Sequence, residues 1–176
     1  EICKSILSCC YKAGIRVFEF TNRGEFALEI YKELYKYVCE HHKDLILGVG
    51  TIMDASSASN YIQYGANFII SPILDKDIAT VANRRKVVWI PGCETLNEIR
   101  QAETLGAEIV KLFPASIAGG AQMIKMLKGP MPWSSVMATG GIDIELSNLN
   151  EWFDAGVHCV GIGSQIFNED NRRVYD

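Results

Sequence analysis

The sequence predicts an α/β protein built as a (β/α)8 barrel, the TIM-barrel class, here lacking the first strand and the last helix. Three observations carry that expectation. Short apolar runs rich in β-branched residues alternate with stretches of helical periodicity along the whole chain. The runs are apolar on both faces, as parallel strands covered by helices on both sides are. Most of them follow a Gly-Ala or Ala-Gly step, the composition of a helix end turning back into a strand.

The elements follow in order. Residues 1–12 read as a helix, and IRVFEF from Ile15 reads as the first strand. From Glu25 to His42 the pattern is helical, with Phe26, Ile30, Leu34, Tyr37 and Val38 returning at three- and four-residue intervals. Further strands are expected in LILGVG from Leu45, FIISP from Phe68, VVWIPG from Val87, IVKLFP from Ile109, SVMATGG from Ser135 and CVGIGS from Cys159. Helices lie between them, and the small-residue steps are Ala13-Gly14, Gly65-Ala66, Gly106-Ala107 and Ala155-Gly156. Strand starts fall 19 to 30 residues apart, the rhythm of a βα unit. Seven strands and seven helices result, in a chain of 176 residues expected to form one domain over 1–176. An eight-fold barrel takes about 250 residues and at its smallest about 200. The structural rival, an open doubly wound sheet, carries a glycine-rich dinucleotide turn after its first strand, and VFEFTNRG supplies none.

Composition narrows the function. A net charge of −4 with acidic and basic residues interspersed gives no basic stripe for nucleic acid. No apolar run approaches the roughly 18 residues of a membrane span, and nothing resembles a signal peptide. Neither nucleic acid nor membrane is an expected partner, and cytoplasm is the expected location. A chain that opens at Glu1 rather than Met is expected to have lost its start. Cys3, Cys9, Cys10, Cys39, Cys93 and Cys159 form no C-x-x-C pair, and with His41, His42 and His158 they assemble no obvious zinc site. The cysteines are expected to be reduced and buried as small apolar residues.

The reactive side chains gather at the carboxyl ends of the expected strands. Glu19 and Thr21 end the first, Thr51 follows the second, Ser71-Pro72 ends the third, Lys111 lies late in the fifth, Thr139 late in the sixth, and Ser164 closes the seventh. On that face of such barrels the βα loops converge above a packed core and carry the active site. Residues two apart on a strand share a face. A Lys111 that points inward takes Ile109 and Phe113 with it and turns Val110 and Leu112 toward the helices. The same rule groups Val17, Glu19 and Thr21, and separately Leu47, Val49 and Thr51. Singly, each charge reads as well as a buried or snorkelling residue with a structural partner. Two complementary charges at matching heights favour a site.

A lysine amine attacks a carbonyl only when neutral, and from a reference value near 10.4 only about one in a thousand is neutral near pH 7. Burial among Ile109, Leu112 and Phe113, with a cation such as Arg23 nearby, is the environment expected to favour the neutral form. Such a lysine forms a Schiff base with a ketone, and the iminium is an electron sink for making or breaking a neighbouring C–C bond. A proton shuttle is also needed, and Glu19 is the candidate. Arg23 in TNRG can grip a carboxylate bidentately. Gly140-Gly141 in ATGGID and the turn Gly161-Ile162-Gly163-Ser164 offer bare backbone amides at the last two βα loops, where many barrels hold a phosphate. Glycine pairs by themselves are more often tight turns.

In that order and spacing, EFTNRG, GVGTIMD, FIISP, WIPGCETLNEI, IVKLFPAS, ATGGI and GIGS closely resemble the 2-keto-3-deoxy-6-phosphogluconate (KDPG) aldolases, also described as 4-hydroxy-2-oxoglutarate aldolases. The resemblance runs over essentially the whole chain. It implies a class I aldolase, needing no metal or other cofactor, that cleaves KDPG to pyruvate and glyceraldehyde 3-phosphate, or 4-hydroxy-2-oxoglutarate to pyruvate and glyoxylate. It further implies a place in Entner-Doudoroff carbohydrate metabolism, small-molecule partners of the keto-acid class, and a homotrimer. Position by position, Lys111 matches the Schiff-base lysine and Glu19 the general acid/base. Arg23, Thr51 and Thr139 match positions near the pyruvyl carboxylate and keto group, Pro72 and Phe113 match pocket walls, and Gly140, Gly141 and Ser164 match the phosphate end.

Two departures bear on that implication. The family's first strand and most of its last helix are not recognisable. The segment PGCETLNE lacks the family's usual second proline after the threonine, and it carries Glu94 where a smaller residue is usual. Facing the mouth, Glu94 would repel an anionic substrate; otherwise it is a solvated loop residue. Other readings remain open at this level. One is a phosphosugar isomerase or epimerase with Glu19 as base and Lys111 as electrostatic stabiliser. Another is a non-catalytic sugar-phosphate-binding remnant, since an incomplete barrel exposes an unpaired edge. A metal-dependent aldolase is poorly served by adjacent His41 and His42 at a helix end, with only His158 elsewhere.

Overall fold

The computed structural model describes residues 1–166 of the chain, which falls into two compact units, Glu1–Ile90 and Pro91–Asp176. The first unit runs α1 (Ile2–Lys12), β1 (Val17–Thr21), α2 (Ala27–His41), β2 (Ile46–Gly50), α3 (Ala55–Gln63), β3 (Phe68–Ile70), α4 (Lys76–Arg85) and β4 (Val88–Ile90). Its strands form one sheet in chain order, each neighbouring pair parallel. The second unit runs β5 (Gly92–Cys93), α5 (Leu96–Thr104), β6 (Val110–Leu112), α6 (Gly120–Lys128), β7 (Val136–Thr139), α7 (Leu146–Ala155) and β8 (Cys159–Gly161), again one parallel sheet in chain order.

The alternation read from the sequence therefore stands, with seven helices among the described residues but eight strands instead of seven. Pro91 makes the difference. WIPGC reads as one apolar run, yet proline has no amide hydrogen for a ladder and interrupts it. Up to that point β4 pairs with β3, and the Ser71 N–H donates to the Ile90 carbonyl at 3.1 Å. Beyond it β5 pairs with β6, and the Lys111 N–H donates to the Pro91 carbonyl at 2.8 Å.

Covered strands account for the apolar runs. In the first unit Leu47, Val49 and Ile69 are buried with the helical Leu34, Ala58 and Ile78; in the second, Val110, Leu112 and Val136 are buried with Ile99, Ile124 and Leu127. Each large aliphatic side chain so buried contributes about 1.5–3 kcal/mol. Gly106 after α5 and Gly156 after α7 take φ values of +94° and +101°, so the expected glycine turns are left-handed helix ends.

The helix expected from Glu25 to His42 forms as α2; its buried face is Ala27, Tyr31, Leu34 and Val38, whereas Phe26 and Ile30 are 68% and 47% exposed. Phe26 stands at the N-cap, outside the helical backbone. The face is set instead by Tyr31, whose ring meets Phe20 at 5.7 Å and Tyr61 at 5.1 Å. Against expectation the cysteines, all free, are not uniformly buried: Cys93 is, but Cys9 and Cys39 lie on exposed faces of α1 and α2. Burial pushes the Cys93 thiol up to about 12.

Helix starts differ in kind. The Asp54 carboxylate accepts from the Ser57 N–H ahead of α3, and Asp75 accepts from the Asp77 and Ile78 N–H groups ahead of α4. Thr95 and Glu98 form a reciprocal capping box on α5. No side-chain cap bond starts α2, α6 or α7. No helix among the described residues is long and apolar enough to cross a membrane.

Candidate active site

The first unit gathers its polar groups around Gly50. Glu19 is half-buried in β1, and a Cβ added to Gly50 would fall 1.5 Å from Glu19 Oε1. The carboxyl group thus lies directly on the Gly50 backbone, a place that a larger residue at 50 would take away. The Asn22 N–H donates to the Gly50 carbonyl at 2.9 Å, which ties the segment carrying the exposed Arg23 to the end of β2. Thr51, next in the chain, is half-buried and has φ of +61°, in the left-handed region that a β-branched residue rarely enters. Strain of that kind costs about 1–3 kcal/mol, and such strain concentrates at functional positions. Ser71 is fully buried and accepts from the Trp89 indole N–H at 3.2 Å, so its hydroxyl serves the core; Pro72 beside it is half-buried.

The second unit presents Lys111 at the centre of β6, only 6% exposed, between Gly92 and Met137 in the sheet register. Val110 and Leu112 are buried on either side of it in the chain. The Lys111 Nζ stands 4.4 Å from the centroid of the Phe113 ring, so these two residues do share a face, as strand alternation requires. The strand ends at Leu112, ahead of Phe113-Pro114.

Thr139 closes β7 half-buried, and its enclosed hydroxyl oxygen finds no hydrogen-bond partner among the described residues. Gly161 across the ladder accommodates it, since a Cβ there would fall 2.5 Å from Thr139 Oγ1. A buried hydroxyl left unpaired costs about 1–3 kcal/mol, and at a strand's carboxyl end it is available to a ligand. The loops after β6 and β7 are joined by backbone bonds: Ala115 N–H to the Thr139 carbonyl at 2.8 Å, and Ser116 N–H to the Gly140 carbonyl at 3.1 Å. Gly140 lies against the Phe113 ring, while a Cβ on Gly141 would come within 2.2 Å of Ser116 Oγ. Ser164 is exposed beyond the end of β8, which stops at Gly161 instead of running through the whole of CVGIGS.

Within the first unit, Glu19 and the segment of Arg23 are thus held to one strand end, and Thr51 extends it. Within the second, Lys111, Phe113, Thr139, Gly140 and Gly141 form a connected set. Glu94 is exposed in the loop before α5, where its N–H donates to Glu98 Oε2 at 2.9 Å. That bond, with the Thr95 hydroxyl, holds the Glu98 carboxyl below the usual carboxylate range. Among the described residues no three His, Cys, Asp or Glu side chains cluster as a metal site would need. A solvent-open groove of about 540 Å³ between α2 and α3, lined by Lys32, Tyr35, Tyr64 and Gly65 among others, includes none of the sequence-predicted site residues.

Several contributors were not legible as such. Gly50 reads as part of a strand run; its role emerges only from the carboxyl group lying on it. Ser116 gives no signal beyond following Lys111 and Pro114. Asn22 and Tyr61 are 39 residues apart in the chain and meet only in the fold.

Known proteins resemble the chain over most of its length. The family profile described as "Aldolase: KDPG and KHG aldolase" matches residues 1–175. A 2-dehydro-3-deoxy-phosphogluconate aldolase of Pseudoalteromonas atlantica is 34% identical over 158 residues, covering 89% of this chain and 70% of that protein. The KHG/KDPG aldolase of Escherichia coli is 32% identical over 129 residues, covering 73% of this chain but 59% of that protein, less than two thirds of its length. A solved KDPG aldolase from Legionella pneumophila, with pyruvate captured at low pH as a covalent carbinolamine intermediate, superposes with a TM-score of 0.82 at 26% identity over 99% of this chain and 84% of that one. The fold class read from the sequence, a (β/α)8 barrel, is the one these likenesses bear out.

Proposed function

Because the chain belongs to the KDPG and KHG aldolase family, we propose that it is a class I aldolase, a carbon–carbon lyase acting on a 2-keto acid through a Schiff base on Lys111. The observation that carries this reading is Lys111 itself, a lysine only 6% exposed at the centre of an apolar parallel strand, ahead in the chain of Thr139 at the end of β7 and the Gly140-Gly141 pair after it. The lysine of such a site adds through Nζ to the C2 carbonyl of KDPG, and the carbinolamine loses water to give an iminium. A base removes the C4 hydroxyl proton, the C3–C4 bond breaks, and its electron pair passes into the iminium to form an enamine. Glyceraldehyde 3-phosphate leaves, C3 is protonated, and water releases pyruvate and the free amine. Glu19 carries the protons in both directions. Arg23 and Thr51 hold the carboxylate, the Thr139 hydroxyl serves the keto-acid end, Pro72 and Phe113 wall the pocket, and Gly140, Gly141 and Ser164 receive the phosphate.

The same reading takes residues 1–176 as one catalytic domain of a cytoplasmic homotrimer that needs no metal or other cofactor. It extends to 4-hydroxy-2-oxoglutarate, whose cleavage to pyruvate and glyoxylate uses the same bonds. Borohydride added with pyruvate is expected to trap a reduced adduct on Lys111, and Lys111→Met to trap none. An unmodified lysine, or full activity in the variant, overturns the reading. The ratio of kcat/KM for KDPG and for 4-hydroxy-2-oxoglutarate separates the two substrates.

A further inference from the structure

Tyr61 lies on α3 and is 2% exposed, yet its hydroxyl donates to the Asn22 side-chain oxygen at 2.8 Å. The ring has little freedom, because Tyr31 meets it edge-on at 5.1 Å and Tyr31 itself is fully buried. Asn22 is held a second time through its backbone, whose N–H donates to the Gly50 carbonyl at 2.9 Å. The residue immediately before Arg23 is therefore fixed at both its amide and its side chain. The second anchor comes from a helix that supplies no side chain to the proposed chemistry.

Helix α2, which follows this loop, starts without a side-chain cap. A β1–α2 connection with no cap of its own needs some other restraint if its arginine is to meet a carboxylate in a bidentate geometry, which tolerates little angular error. We infer that Tyr61 and Asn22 are positioning residues for Arg23, acting through the Tyr61–Asn22 hydrogen bond to set the carboxylate grip of the site. The inference rests on the aldolase reading for the role of Arg23. It adds a determinant of keto-acid affinity placed one helix away from the substrate.

Pyruvate titrations test it with two readouts on the full chain: half-saturation of the ligand-induced thermal shift, and the maximal fraction trapped by borohydride at saturating pyruvate. Tyr61→Phe keeps the ring and removes only the hydroxyl, while Asn22→Ala removes the accepting side chain of a part-buried residue. Each is expected to raise the half-saturation concentration about five- to tenfold, the scale of one lost hydrogen bond. The maximal trapped fraction stays within about twofold, and the double variant is no worse than either single one. A merely structural role would lower the trapped fraction and leave the half-saturation of the folded remainder unchanged. Half-saturation unchanged in both single variants, or losses that multiply in the double variant, overturn the inference. A chain that binds pyruvate but traps none refutes the aldolase reading while the half-saturation comparison still decides this one. A chain that pyruvate does not shift at all overturns both.

Discussion

The βα loops fall into two sets that use their polar residues in opposite ways. Ahead of α3, α4 and α5, the side chains of Asp54, Asp75 and Thr95 turn back onto the first amides of their own helices. Ahead of α2, α6 and α7 no side chain does so, and these are the connections that carry Arg23, Ser116 and the Gly140-Gly141 pair. The uncapped loops are held from outside, although Asn148 and Asp143 also brace the approach to α7 by accepting from the Asp143 and Glu145 N–H groups. The β1–α2 loop is tied to Gly50 and Tyr61, and the loops after β6 and β7 are tied to one another by backbone bonds. A side-chain oxygen committed to its own helix stabilises but is unavailable to a ligand. The contrast teaches that in this chain local stability and proposed chemistry fall largely to different loops; the exceptions are Thr51 and Pro72, which precede Asp54 and Asp75 in two of the capped loops.

Substitutions on either side of that division test it. The largest effect is expected at Glu19, which belongs to the strand end feeding an uncapped loop: Glu19→Gln should lower kcat by about 10²- to 10⁴-fold, the usual share of a proton shuttle, with a nearly unchanged Tm. A kcat within about threefold of the unsubstituted chain would remove Glu19 from the chemistry. Gly141→Ala combines a left-handed φ of +80° with a contact of 2.2 Å to Ser116 Oγ, and should cost about 1–2 kcal/mol of stability. If this loop takes the phosphate, kcat/KM should fall about tenfold more for KDPG than for 4-hydroxy-2-oxoglutarate; equal losses would detach it from the phosphate end.

Thr95→Ala probes the other set. Loss of the capping box should destabilise by about 1 kcal/mol in chemical denaturation and leave kcat/KM untouched; a matching loss of catalysis would break the division. The smallest effect is a pH dependence of the same cap. The Glu98 carboxyl is held low in the folded chain, by the Glu94 N–H first and the Thr95 hydroxyl next. Its contribution is therefore present above the ordinary glutamate value of 4.5 and is lost as pH falls through the lower folded value. Because the group is partly open to solvent, the change should be a few tenths of a kcal/mol, and Glu98→Gln should flatten the acid limb of the stability curve.

Much of this was legible in the amino-acid sequence, for physical reasons that also mark where reading stops. Parallel strands buried on both faces advertise themselves as continuous apolar runs, so IVKLFP gave both the strand and the anomaly of its lysine. Alternation with period two placed Lys111 and Phe113 on one face, as the 4.4 Å contact shows. Periodicity marks α2 as a helix but does not single out its buried face, because Phe26 and Ile30 are as apolar as Tyr31. The break at Pro91 was hidden by a run that stays apolar through it. The capping box of Thr95 and Glu98 spans four residues, yet it went unread in CETLNE, where Glu94 stood out. The Tyr61–Asn22 bond joins residues 39 apart, and no local pattern encodes a partner at that distance.

Thr51 shows what a laboratory evolution experiment would find. A library screened only for thermostability should enrich glycine at 51, because glycine takes φ of +61° without the steric penalty borne by a β-branched residue. A library screened for growth on the substrate should keep the threonine, whose hydroxyl and fixed backbone glycine does not supply. The two selections would pull this one codon in opposite directions, and the distance between their winners would measure how much folding stability the proposed role of Thr51 costs the chain.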